Sequence, residues 1–205
     1  MRLILASSSP RRRQLLSQMG HEFDIVKPAI DEARREGEAP LDYARRLSRE
    51  KAEAVAAALD VSPALILSAD TIVVLVANET GIAENDELLE KPRDAADARR
   101  MLRALRARAH QVITAITLKR TGQAEQVITR HARTIVTMRD YSEDEIAAYI
   151  ESGDPFDKAG AYAIQNEVFH PVARIEGSYS NVVGLPLDVV KAALVEIGYR
   201  PLEGS

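Results

Sequence analysis

Residues 3–16 read LILASSSPRRRQLL: an apolar run, three serines, a proline, three arginines and the start of a second apolar pattern. Leu3, Ile4, Leu5 and Ala6 have the character of a buried strand. Ser9 before Pro10 is an N-cap followed by proline at the first helical position, where a missing N–H costs nothing. Leu15, Leu16 and Met19 then recur at helical spacing, and Gly20 supplies a stop. The stretch predicts a strand, a tight serine turn and a helix from Pro10. Arg11 and Arg12 fall in its first turn, beside the positive end of the helix dipole, where a cation costs roughly 0.3–1 kcal/mol. Either they point into solvent and pair with carboxylates, or an anion offsets the repulsion. Serine hydroxyls and backbone N–H groups converging on the same turn suit a phosphate.

The chain has 205 residues, 46% hydrophobic and 28% charged, enough to bury one core as a single domain over 1–205. It has no cysteine, which excludes disulfides, thiolate metal sites and a cysteine nucleophile, and fits a cytoplasmic location. The apolar runs are too short to span a membrane and the first residues lack a signal-peptide layout, so neither membrane insertion nor export is expected. A net charge of −4 and a pI near 5.7 argue against nucleic-acid binding by charge, while leaving room for a local basic pocket.

Further along, EFDIV (22–26) reads as a strand, KPAIDEARREGEA (27–39) as an exposed loop, and the run from Pro40 to Asp60 as a long helix. ALILSADTIVVLVA (64–77) predicts one or two central strands, and NETGIAENDE (78–87) a polar hairpin tip. A helix capped by Asp94, two strands over 110–120 and 124–139, a capped helix ending at Gly153, a glycine-rich segment to Gly184 and a last helix over 186–197 complete the pattern. Helices and strands mix without strict βαβ alternation, which predicts an α/β or α+β fold on a mixed sheet.

Asp70 stands at the end of an apolar run, where a carboxylate must be paired, hydrogen-bonded or bound to a metal. It can cap a turn between two strands, or lie at a strand end beside the serine–arginine turn, where open α/β sheets bind ligands. Asp31 and Glu32 read as solvated surface by themselves; with Asp70 they could hold a divalent cation by oxygen ligands. Lys51 sits mid-helix between glutamates, the pattern of a solvated face. Lys91 is held by a following proline, and Lys158 lies just before Gly160. Arg, Lys and Asp from separate segments are what phosphoryl chemistry requires, cations to neutralise spread charge and a carboxylate to hold metal or take a proton from water. The histidines at 21, 110, 131 and 170 lack metal-ligand spacing and read as structural or surface residues.

LASSSPRR, PAIDE, REKA, SADTIVV, LEKPRDAADARRML, DKAGAYAIQ and GSYSNVVGLPL occur in the order and approximate spacing of the Maf-like family of nucleoside triphosphate pyrophosphatases. The chain resembles that family from residue 3 to about residue 195, and most closely the subgroup acting on dTTP and UTP. The resemblance implies an ITPase-like fold, with a central mixed twisted sheet flanked by helices and two lobes around a cleft. It further implies Mg²⁺ or Mn²⁺ as cofactor, hydrolysis of a nucleoside triphosphate to monophosphate and pyrophosphate, and allows a homodimer.

By position, the resemblance places Ser7, Arg11 and Arg12 at the phosphates, with Lys51 and Lys91 completing the cationic lining; Lys158 is expected among the substrate-binding residues from its own place before Gly160. Asp70 matches the proton acceptor, and Glu32 with Asp70 matches a metal-holding pair. Arg11, Thr71 and Gln165 fall where the family reads its base, in the pyrimidine pattern. Two departures are visible: the hairpin after TIVVL is longer than in many relatives, and Asn166 stands where glycine is common. A nucleotidyltransferase would open with a similar loop but normally carries glycines there and a longer chain. A non-catalytic nucleotide-binding regulator of cell division would need the pocket without the acid.

Overall fold

The computed structural model describes residues 1–59, 63–75, 86–122 and 124–199. The opening stretch folds as read: β1 (Arg2–Ala6) turns through the serines into α1 (Pro10–Ser17), and Ser9 Oγ accepts the Arg12 backbone N–H. The strand read at 22–26 contracts to a two-residue β2 (Asp24–Ile25), parallel to β1. Then come α2 (Pro40–Ala57), β3 (Ala64–Leu75), β4 (Glu87–Leu89), α3 (Ala95–Leu105, capped by Asp94), β5 (Ala109–Arg120), β6 (Gln126–Met138) and α4 (Glu143–Glu151). The glycine-rich segment is more structured than its composition suggested. It holds two 3-10 turns (Asp154–Asp157 and Ala159–Ala161), an edge strand β7 (Val172–Glu176) and a short helix α5 (Tyr179–Val183), before α6 (Leu187–Glu196). The expected hairpin tip lies almost wholly outside the described residues.

Among the described residues seven strands form one mixed sheet in the order β2-β1-β3-β5-β6-β7, with β4 also paired to β3. The run at 64–75 is one strand rather than two, and its neighbours change along its length. On one edge β5 pairs with it antiparallel from Leu65 to Val74. On the other, β1 runs parallel up to the pair Ala6–Ser68, and β4 runs antiparallel from the pair Val73–Leu89. Residues 69–72 sit in the fork between β1 and β4.

Alternation along β3 then sorts its side chains. Leu65, Leu67 and Ala69 join a core with Leu15, Leu16, Val190 and Leu194, while Val73 and Leu75 join a second core with Met101, Leu102 and Ile146. Both cores are mounted on one strand. The intervening residues face α2: Ile72 and Val74 pack on Tyr43 and Leu47, Ser68 Oγ donates to the Ser48 carbonyl, and Asp70 meets Lys51. Asp70 therefore occupies mid-strand at the fork, not a strand-ending turn.

Candidate active site

A cleft of about 760 Å³ opens at the fork. Ser7 and the first turn of α1 form one wall, Asp70 and Thr71 the floor, and Lys91, Lys158 and Gln165 the opposite wall. Every residue expected at the site lines it except Asp31, offered with Glu32 as a possible cation ligand; its carboxylate instead accepts the Ala33 N–H in a local turn.

Lys51 departs furthest from its local sequence environment. The helix pattern suggested a solvated face, yet the residue is only 6% exposed, because α2 lies flat on the sheet and turns this side chain toward β3. Its Nζ lies 2.6 Å from Asp70 Oδ1 and 2.8 Å from Glu32 Oε1. Burial acts to raise the Glu32 pKa, but the hydrogen bond and charge of Lys51, joined by Lys91 and Arg12, outweigh it and hold the carboxyl below its ordinary value. The Tyr43 hydroxyl, 2.7 Å from the Glu32 carbonyl and 3.1 Å from a Glu90 carboxylate oxygen, ties the loop carrying Glu32 to α2 and β4's end.

Two carboxylates converging on one cation provide oxygen donors of the kind Mg²⁺ and Mn²⁺ take. Among the described residues there is no group of three or more His, Asp or Glu able to hold a metal ion. Glu32 and Asp70 would thus supply part of a coordination sphere, completed by water and ligand oxygens, which is how Mg²⁺ is commonly held at phosphate sites.

Arg12 contrasts with Lys51. Its Nε donates to the Gly184 carbonyl at 2.8 Å, Nη2 to Thr71 Oγ1 at 3.0 Å, and Nη1 reaches Ser7 Oγ at 3.5 Å. All three acceptors are neutral, and among the described residues no carboxylate forms an ion pair with it. Burial lowers its pKa, partly offset by Asp70 and Glu32 and reinforced by Arg11, though a guanidinium remains charged at any physiological pH. Gly184 makes this contact possible: its φ is +121°, and a Cβ there would stand 3.3 Å from Thr71 Oγ1 and 3.6 Å from Arg12 Nε.

The backbone of the turn contributes less than expected. Ser9 takes the Arg12 and Arg13 amides on its Oγ and carbonyl, and Ser7 Oγ takes the Ser9 amide. Side chains, more than bare N–H groups, face the cleft. Arg11 Nη1 lies 3.5 Å from Asp157 Oδ2. Lys158 lines the cleft, but its three N–H groups meet the Asp154 carbonyl, Asp154 Oδ1 and Asp157 Oδ1. Gln165 is exposed at the rim. Next to it Asn166 donates to Asp154 Oδ2 at 3.1 Å and accepts the Phe169 amide at 2.7 Å, clamping the turn.

Sequence reading missed Gly184 as an acceptor, and Thr114 and Asn181 behind Thr71. Only the alternation of β5, which puts Thr114 directly opposite Thr71, could have flagged one of them. The histidines are structural or peripheral as read; His110 is fully buried, with Nε2 2.8 Å from the Tyr162 hydroxyl.

The Maf-like protein family profile matches residues 2–197. The chain belongs to the Maf-like family. A Maf-like relative from Vibrio cholerae, named dTTP/UTP pyrophosphatase, is 47% identical over 186 residues, covering 91% of this chain and 92% of the relative. One of the same name from Geotalea uraniireducens is 46% identical over 196 residues, covering 96% and 95%. Among solved structures, the Ham1 protein of Staphylococcus aureus matches with a TM-score of 0.50 at 17% identity, covering 96% of this chain and all of that one. That likeness is one of fold, and the mixed sheet with flanking helices is the ITPase-like architecture expected of a Maf-like chain. No described helix is long and apolar enough to cross a membrane.

Proposed function

We propose that this Maf-like protein is a nucleoside triphosphate pyrophosphatase that hydrolyses dTTP and UTP to the monophosphate and pyrophosphate, acting as one catalytic unit over 1–205. The observation that carries the reading is a half-buried arginine, Arg12, pinned on neutral oxygens in the same cleft as the Asp70–Lys51–Glu32 cluster. A half-buried cation without a carboxylate partner is poised for an anion, and relatives covering nine-tenths of the chain carry the name dTTP/UTP pyrophosphatase.

Arg12 and Arg11, with Ser7, would receive phosphate oxygens on the α1 wall, and Lys91 would face them from the other side. Asp70 would orient a water and take its proton as the water oxygen bonds to the α-phosphorus. The bond from that phosphorus to the bridging oxygen then breaks, and pyrophosphate leaves with its charge met by arginine and lysine. Lys51 would hold Asp70 and Glu32 in register. A divalent cation held by Glu32 and Asp70 would supply further charge neutralisation at the phosphates. Lys158, whose donors are committed, would act by fixing Asp157 near Arg11. Arg11, Thr71 and Gln165 would meet the base. The cysteine-free composition supports a cytoplasmic setting.

The test is pyrophosphate release across the common nucleoside triphosphates with Mg²⁺ or Mn²⁺, with and without a chelator. Release from dTTP and UTP that stops on chelation is expected. Tight dTTP binding without turnover at any metal concentration would favour the regulator reading, and release only with a second substrate would favour a nucleotidyltransferase.

A further inference from the structure

The hydroxyl proton of Thr71 has a fixed direction. Directly opposite on β5, Thr114 places its Oγ1 2.9 Å from the backbone carbonyl of Asn181, an atom that can only accept, so the single Thr114 hydroxyl proton is committed there. The Thr71 and Thr114 oxygens lie 3.0 Å apart. With the Thr114 proton already used, the proton between them belongs to Thr71. From the cleft side Arg12 Nη2, which can only donate, stands 3.0 Å from Thr71 Oγ1. Thr71 thus keeps its proton turned into the sheet, gives one lone pair to Arg12 and has one lone pair left.

Asn181 sets this polarity and cannot readily reverse it. It is fully buried in α5. Its Oδ1 accepts the Thr114 amide at 3.1 Å, and its Nδ2 donates to the Val112 carbonyl at 3.0 Å and to Thr134 Oγ1 at 2.9 Å. Every polar atom of that side chain is used in holding Asn181 against β5 and β6. Releasing its carbonyl from Thr114 would strand buried polar groups without partners.

We propose that Thr114 and Asn181 are positioning residues for base selection: they hold Thr71 as a hydrogen-bond acceptor, so the cleft takes a pyrimidine protonated at N3, uracil or thymine, over cytosine, whose N3 presents a lone pair. This rests on the pyrophosphatase reading with the base beside Thr71. Sites built around one hydrogen-bond polarity discriminate strongly against ligands that leave a buried group unpaired.

The experiment compares UTP with CTP, by kcat/KM for pyrophosphate release and by equilibrium binding without turnover in the presence of Ca²⁺, in the wild type, Thr114→Val, Thr114→Ala and Thr114→Ser. The wild type is expected to favour UTP by about tenfold or more. Val and Ala remove the oxygen that receives the Thr71 proton, free Thr71 to donate into the cleft, and are expected to bring the UTP:CTP ratio within about threefold, chiefly through KM. Ser keeps the oxygen and is expected to keep the ratio, which a merely structural role for Thr114 would not require. If Val does not fold, Ala with its smaller side chain and the rescue by Ser still decide. Equal use of UTP and CTP by the wild type, or an unchanged ratio in Val and Ala, overturns the proposal and leaves the pyrophosphatase reading standing. Failure to release pyrophosphate from any nucleotide overturns that reading instead, and the binding ratios still decide the role of Thr114.

Discussion

Lys51 Nζ lies 2.6 Å from Asp70 Oδ1, both side chains at most about one-tenth exposed. The acid at the sheet fork is thus held by an ammonium that Glu32 also engages at 2.8 Å.

Asp70→Asn should lower kcat by roughly 10²–10⁴ if Asp70 is the base, while Lys51 keeps Glu32 as its counter-charge and the chain stays folded. Steady-state kinetics alongside circular dichroism check both halves. Activity within a few-fold of wild type in a folded variant would remove Asp70 from the mechanism.

Arg12→Lys should weaken triphosphate binding by about 1.5–3 kcal/mol, the range for hydrogen bonds to charged groups, because an ammonium cannot reproduce the planar fork. A helix-dipole view by itself predicts little stability change, because lysine keeps the first-turn charge. The ties from Arg12 to Gly184 and Thr71 change that expectation to a loss of about 1–2 kcal/mol in the ligand-free protein. Urea unfolding with and without dTTP separates the two effects.

Gln165→Ala should leave thermal stability unchanged, since the side chain is exposed and the turn is clamped by Asn166. If Gln165 meets the base, the preference for dTTP over ATP, expected to be about tenfold or more in the wild type, should shrink. Competition assays with both nucleotides in one mixture read this directly. An unchanged ratio would take Gln165 out of base selection.

His110 gives a pH signature independent of catalysis. Burial pushes its pKa down from 6.5 to about 3, so between those values the unfolded chain binds a proton that the native state refuses. Stability is full above the unfolded pKa and falls as pH drops, by about 2 kcal/mol between pH 7 and pH 5 from this group. Denaturant midpoints across that range should therefore fall less in a folded His110→Gln variant than in the wild type. Parallel curves would contradict the assignment.

The opening strand–turn–helix, the capped helices and the long β3 were legible because caps, proline and apolar period are local signals. Lys51 was legible only through the family resemblance, because its neighbours Glu50 and Glu53 describe only the solvent side of α2 and say nothing of the carboxylates reaching it from β3 and the 27–39 loop. Asp70 and Thr71 stand out as polar residues in an apolar run, but adjacent strand residues point to opposite faces. Their joint access to one cleft depends on where β1 stops and β4 begins. Thr114 and Asn181 look like ordinary strand and helix residues until the β3–β5 register is known. Lys158 was marked by its charge, and only the folded 3-10 turn shows that charge already answered by Asp154 and Asp157.

The fork on β3 has a mechanical consequence. Residues 69–72 have β5 along one edge throughout, with β1 and β4 braced at either end of the other. The floor of the cleft is therefore one continuous strand, and β1 and β4, which lead into its two walls, are both paired to that strand. Opening the cleft as a hinge would mean shearing a ten-pair antiparallel ladder. The spacing between Asp70 and Thr71 is set by one peptide unit, and the ladder to β5 on one edge fixes the acid and the hydroxyl to the same rigid support.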